Sequence, residues 1–169
     1  MSFTVAIIGR PNVGKSTLFN KLVGKSFAIV DDVAGVTRDR RDAMASLGIM
    51  DFRAIDTAGL ENDNEEGTLE KRMVEQTKQA IIDADLCLFV VDYKSGVTPV
   101  DQYFAKWIKK DNIPAILIVN KCENNEGEIF DREYYSLGMG QAIGISAEHK
   151  AGFNLLYDLI EPYYDKYNK

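Results

Sequence analysis

The segment Gly9-Arg10-Pro11-Asn12-Val13-Gly14-Lys15-Ser16-Thr17 sets glycines, a lysine and two hydroxyls at the spacing that surrounds a phosphate chain. Backbone N–H groups of such a loop, and of the helix it opens, converge on phosphate oxygens, and the lysine adds a point charge. The motif follows the apolar run Thr4–Ile8 and precedes Leu18-Phe19-Asn20-Lys21-Leu22, so it reads as strand, loop and helix, the context a P-loop requires. Gly9, Asn12, Val13, Gly14, Lys15, Ser16 and Thr17 are then the expected phosphate-binding positions. Lys15 is expected against the terminal phosphates, and the Ser16 hydroxyl can ligate Mg²⁺, which takes few protein oxygens and keeps several waters.

A second polar motif, Asp56-Thr57-Ala58-Gly59, follows Phe52-Arg53-Ala54-Ile55. Asp56 is the natural anchor for the same ion, direct or through water, and Gly59 permits backbone approach to a γ-phosphate. Thr37, in Gly35-Val36-Thr37-Arg38-Asp39, is the candidate for a third Mg²⁺ contact made only when a γ-phosphate is present. Arg38 and Arg40 read as solvated loop cations rather than phosphate donors.

Two further motifs suit a purine. In Asn120-Lys121-Cys122-Glu123, the Glu123 carboxylate can accept from the guanine ring N–H and exocyclic amino group, whereas adenine would leave that charge without partners. Asn120 would brace the loops, and the aliphatic stem of Lys121 would cover a base face. Ser146 and the Ala147 backbone N–H complete the pocket, the latter expected to donate to the guanine carbonyl.

The elements that must position these groups are legible in outline. β-Branched apolar runs at Thr4–Ile8, Leu86–Val91, Ala115–Val119 and Ala142–Ile145 read as strands buried on both faces. Gln76–Ala84, Val100–Lys110, Glu133–Leu137 and Asn154–Tyr164 carry helical spacing. Asp42–Gly48 and Asp51–Ile55, joined by the turn Gly48-Ile49-Met50, predict an antiparallel edge hairpin. The expected fold is α/β: a doubly wound, mostly parallel six-stranded sheet with one antiparallel edge strand. Each polar motif then falls at the carboxyl end of a strand, where such sheets bind ligands. Lys25–Arg41 and the polar run from Glu61 to Gly67 are expected to be mobile loops beside the phosphate site.

At 169 residues, one domain suffices to bury a real core. The formal charge of −6 argues against this domain gripping nucleic acid or an anionic membrane through its overall field. Cys87 and Cys122 offer neither metal spacing nor a disulfide framework, which suits a cytoplasmic setting. There is no signal-type leader and no apolar run of bilayer length, so a soluble monomer is expected. His149 follows the base-side loop with no serine and acid arrayed around it, and reads as solvated. Tyr103, Phe104 and Trp107 share helical spacing and read as packing rather than a stacking platform.

The chain resembles the translation-factor-like GTPases, and most closely the first G domain of the EngA/Der family of double-G-domain GTPases. The residues carrying the resemblance are Gly-Arg-Pro-Asn-Val-Gly-Lys-Ser-Thr-Leu-Phe-Asn from Gly9, Gly-Val-Thr-Arg-Asp from Gly35, Asp-Thr-Ala-Gly-Leu from Asp56, Ala-Asp-Leu from Ala84 and Ser-Ala-Glu-His from Ser146. It implies a Ras-like G domain, GTP/GDP as ligand, hydrolysis to GDP and phosphate with Mg²⁺ on Ser16, Thr37 and Asp56, and service in large ribosomal subunit assembly. Contact with the ribosomal large subunit would come through a longer protein, in which a second G domain and a KH-like RNA-binding domain follow. The chain is accordingly expected to be an excised N-terminal domain.

Two departures from the G-protein pattern matter. Glu123 stands where the general base-reading motif ends in Asp; first G domains of this family resemble it in sometimes carrying Glu, so guanine is still expected. The longer side chain must be ordered to make the same two bonds, at a cost of about 1 kcal/mol. Leu60 stands where Ras-like GTPases place the glutamine that orients the attacking water. Similar GTPases with asparagine at the position of Asn12 bind K⁺ beside the phosphates, which would stimulate hydrolysis. Lys15, Thr37, Gly59 and Asn12 are therefore the expected catalytic positions. The rival readings are a nucleotide-state-dependent binding module with negligible intrinsic hydrolysis, favoured by Leu60, and an adenine-nucleotide hydrolase, favoured by Glu123.

Overall fold

A computed structural model of the chain describes residues 2–24, 41–58, 69–123, 129–130 and 134–169. The element order is β1 (Thr4–Ile8), α1 (Lys15–Val23), β2 (Arg41–Leu47), β3 (Met50–Asp56), α2 (Leu69–Ala80), β4 (Leu86–Asp92), α3 (Pro99–Lys110), β5 (Ala115–Asn120), β6 (Ile129–Phe130), β7 (Ala142–Gly144) and α4 (Phe153–Tyr167).

The strands form one sheet in the order β2-β3-β1-β4-β5-β7-β6. β1 pairs in parallel with β3 on one side and β4 on the other, so the chain reverses its direction of winding at β1. The P-loop leaves the sheet at that switch point, where open α/β sheets place their ligands. β2 and β3 form the expected antiparallel hairpin, with Leu47 opposite Met50 across Gly48 and Ile49.

Alternate strand residues face opposite sides, and both sides are apolar because both are covered. Val5, Ile7, Leu86, Leu88 and Val90 pack with Leu18, Phe19 and Leu22 of α1 and Leu156 and Ile160 of α4. Ala6, Ile8, Cys87, Phe89 and Val91 pack with Met73 and Val74 of α2 and Phe104, Trp107 and Ile108 of α3. Phe104 and Trp107 are buried core, as their spacing implies, whereas Tyr103 is exposed. Both cysteines are buried and unlinked, and burial pushes the Cys87 thiol up to about 12.

The six expected strands are present, and β6 adds a seventh by pairing antiparallel with β7 at the far edge. It is two residues long and lacks the apolar run that reveals the others. α2 starts seven residues before the expected Gln76 because its first turns are charged, Leu-Glu-Lys-Arg, and bury only Met73, Val74 and Thr77 among the residues of known exposure. It ends at Ala80 and closes in a turn where the Ala84 N–H donates to the Ile81 carbonyl. The helix expected over Glu133–Leu137 is, among the described residues, a single 3-10 turn at Tyr135–Leu137, stopped by Gly138 at φ 66°. Of the loops expected at Lys25–Arg41 and Glu61–Gly67, Arg41 instead opens β2 and pairs with Asp56, and the rest lie outside the described residues.

Candidate functional site

The P-loop is shaped by what its neighbours allow. At Gly9, with φ 147°, a Cβ would stand 2.6 Å from the Val90 carbonyl oxygen, so only glycine lets the loop leave β1 against β4. At Gly14, with φ 99°, a Cβ would stand 2.2 Å from Asn120 Nδ2. Arg10 ties the loop to the start of α3: its Nη2 donates to Ser95 Oγ, and its Nε lies 3.3 Å from a carboxylate oxygen of the fully buried Asp101. Asp101 also closes the capping box of α3, with Thr98 N donating to Oδ2 (2.9 Å) and Asp101 N donating to Thr98 Oγ1 (3.3 Å).

A cleft of about 540 Å³ opens over this loop, lined among the described residues by Pro11, Asn12, Gly14, Lys15, Ser16, Thr17, Ala58 and Lys121. Lys15 is buried, and its ammonium donates to the Gly9 carbonyl across the loop. Ser16 Oγ donates to Asp56 Oδ2 (2.8 Å), and Asp56 Oδ1 accepts from the Ala58 N–H (2.9 Å). A hydroxyl and a carboxylate held together beside a phosphate-binding loop are the hard oxygen donors that suit Mg²⁺. Thr57 fastens the strand end beneath, its Oγ1 donating to the Ile7 carbonyl (2.8 Å). Val13 is fully buried and carries the loop into α1. Thr37 and Gly59, and with them Arg38, Arg40, Leu60 and the acidic run after it, lie outside the described residues.

The base-side motifs converge on the same loop. Asn120, buried at the end of β5, donates from Nδ2 to the Val13 carbonyl (2.9 Å) and accepts at Oδ1 from the Ala147 N–H (2.9 Å). It braces the loops as expected, but the Ala147 N–H, expected on a guanine carbonyl, is here on Asn120. Ser146 is buried with no hydrogen-bond partner on its hydroxyl among the described residues. Lys121, at φ 69°, reaches back over the P-loop, donating to the Asn12 carbonyl (2.8 Å) and to Asp92 Oδ2 (2.9 Å). Asn12 itself is exposed, also at positive φ (69°).

Asp92 and Lys94 belong to no motif. Asp92 ends β4 in register with Asn120, so its signal in the sequence is the same as for the other site residues, a polar group closing an apolar strand. Burial alone would raise its carboxyl, but donation from Lys121 and from the Lys94 and Ser95 backbone N–H groups outweighs this and holds it below the usual range. Glu123 lies in an ion pair with Lys94 (Oε1 to Nζ 3.2 Å). Its carboxyl is held low first by its own backbone N–H and then by Lys94, so it is an acceptor at neutral pH. Glu148 and the exposed His149 stand beside it, with ligand atoms of the three side chains within 4.8 Å of one another.

The chain is 54% identical over 160 residues to GTPase Der of Nitrobacter hamburgensis, covering 95% of the chain and 35% of that protein. It is 55% identical to GTPase Der of Parvibaculum lavamentivorans, over 95% of the chain and 34% of the relative. The chain thus spans about a third of the length of the curated relatives it matches. Among solved structures, a single-residue variant of Aquifex aeolicus Era bound to GDP and AlF4⁻ superposes with a TM-score of 0.70 at 31% identity, covering 96% of the chain and 57% of the Era chain. Residues 4–121, the greater part of the chain, match the sequence pattern of the family described as "50S ribosome-binding GTPase". The chain belongs to this family of GTPases, within which its motifs resemble the first G domain of EngA/Der.

Proposed function

We propose that the chain binds GTP and GDP with Mg²⁺ and hydrolyses GTP to GDP and phosphate. The observation that carries this reading is the Ser16 hydroxyl on the Asp56 carboxylate at 2.8 Å, a ready-made oxygen pair at the mouth of a P-loop. Lys15 neutralises the terminal phosphates and the P-loop N–H groups orient them; Ser16, Asp56 and Thr37 would hold Mg²⁺, which would supply positive charge against that of the phosphates. Gly59 contributes its backbone N–H to the γ-phosphate. Water attacks the γ-phosphorus in line, the bond to the β-γ bridging oxygen breaks, and phosphate leaves GDP in the site.

On the base side, Glu123 accepts from the guanine ring N–H and amino group, Asn120 and Lys121 fix the loop, and Ser146 and Ala147 complete the pocket. Asn12 lines the phosphate cleft and is the proposed K⁺ ligand, supplying charge where Leu60 offers no water-orienting group. The domain is proposed to act as a monomer in the cytoplasm; among the described residues no helix is long and apolar enough to cross a membrane. The family match and the Der likeness support a role in large ribosomal subunit assembly, exercised by this domain as the first G domain of a longer protein.

Single-turnover GTP hydrolysis, in Mg²⁺ with K⁺ or with Na⁺, tests the reading. Hydrolysis stimulated by K⁺ and reduced by Asn12→Ala is expected. Hydrolysis equal in the two salts would remove the K⁺ site, and none in either would leave a nucleotide-dependent binding module.

A further inference from the structure

Resting on the guanine reading above, we infer that Lys94 is a positioning residue for base recognition, holding the Glu123 carboxylate where it can accept both guanine donors. Glutamate adds a methylene and a rotatable bond to the reach an aspartate would need, so an unrestrained Glu123 would spread its carboxylate over several rotamers. Lys94 removes part of that freedom from outside the pocket by pairing with Oε1 at 3.2 Å. A carboxylate has about four lone-pair sites, so one ammonium contact on Oε1 leaves both oxygens able to accept from the base.

Lys94 is itself placed by the chain. Its backbone N–H donates to Asp92 Oδ1 (2.8 Å), the local turn that aspartate favours at a strand end, while Asp92 Oδ2 takes Lys121. The segment Asp92–Lys94 therefore holds both charged residues of the base-side loop, Lys121 through Asp92 and Glu123 through the Lys94 side chain. Tyr93 N donates to the Asn120 carbonyl (2.9 Å), binding the two strand ends together. Among the described residues, Glu148 and His149 also bring titratable atoms beside the Glu123 carboxylate. Glu148 repels the carboxylate, while Lys94 pairs with it directly at 3.2 Å and holds it low more strongly than His149 does.

The Lys94 side chain is 64% exposed, and an exposed pair of this kind changes an equilibrium by about two- to fivefold. Dissociation constants for GDP, IDP and ADP are to be measured for the unaltered protein, Lys94→Ala, Lys94→Arg, Glu123→Asp and the Lys94→Ala/Glu123→Asp double variant. IDP keeps the ring N–H of guanine but lacks its amino group. Lys94→Ala should weaken GDP about two- to fivefold and IDP less, Lys94→Arg should restore most of the loss, and the effect should fade above about 0.5 M salt. In the Glu123→Asp background, where the shorter side chain draws away from Lys94, Lys94→Ala should change GDP affinity by less than about 1.5-fold.

GDP affinity unchanged or tightened by Lys94→Ala overturns the proposal, as does an equal loss for GDP and IDP in both backgrounds. Those outcomes leave guanine recognition standing. Equal affinity of the unaltered protein for GDP and ADP removes the guanine reading itself, and Lys94's role with it.

Discussion

Asn120 Nδ2 lies 2.9 Å from the Val13 carbonyl oxygen, joining the end of β5 to the P-loop across a sequence separation of 107 residues. With Oδ1 on the Ala147 N–H, one side chain sets the phosphate loop and the base-side loop at a fixed spacing. Asn120→Ala leaves a buried carbonyl and a buried N–H without this partner, at about 2–4 kcal/mol of folding stability. Gly14→Ala should act on the same contact from the other side, because its Cβ would occupy the place of Nδ2. Denaturant unfolding checks both, and either variant with unchanged stability would contradict the bracing role.

Ser16 and Asp56 should determine how nucleotide affinity responds to Mg²⁺. Ser16→Ala and Asp56→Asn each remove an oxygen function from the pair, so the gain in GTP affinity on adding Mg²⁺ should fall by about tenfold or more. Titration with and without EDTA reads this directly. Asp56→Asn should also keep its acceptance from the Ala58 N–H, so the strand end should stay folded.

Asp92 provides a pH signature. Its carboxyl is held below the usual range in the folded chain, so its contribution to stability is complete above about pH 5 and is lost as the pH falls through the folded value. Lys121 is partly exposed and the pair partly screened, so Asp92→Asn should cost about 1 kcal/mol at pH 7. The difference from the unaltered protein should begin to shrink below about pH 4, where Asp92 of the unfolded chain takes up its proton, and should vanish only once the pH has fallen through the lower folded value. Denaturation curves from about pH 3 to 8 check it, and a constant difference would contradict it.

Thr98→Ala should destabilise the chain by about 1 kcal/mol, the ordinary worth of an N-cap, lowering Tm by about 2–4 °C. Asp101→Ala should cost more, because Asp101 also holds Arg10 of the P-loop. It should therefore weaken nucleotide binding where Thr98→Ala does not.

Much of this was legible in the sequence because buried parallel strands need apolar runs, and a polar motif closing each run places itself at the ligand edge. Thr4–Ile8 was readable to the residue, and Ser16, Asp56, Asn120 and Lys121 converge as their strand ends require. What escaped has physical reasons. β6 is too short for periodicity, and the charged first turns of α2 hide a helix whose packing falls on few residues. Asp92 lacked a motif although it ends a strand, and Lys94 becomes meaningful only through its pairing with the sequence-distant Glu123. The helix expected from Val100 begins at Pro99 behind a Thr98–Asp101 capping box, and the tie of Asp101 to Arg10, distant in sequence, shows only in the fold.

If these strand ends together select a guanine nucleotide, titration of the Mg²⁺-loaded protein with fluorescent GDP and fluorescent ADP will show it without further assumptions. GDP is expected to bind at least about a hundredfold more tightly, because adenine offers no donors to the Glu123 oxygens that accept from guanine; comparable affinities for the two would contradict the guanine assignment.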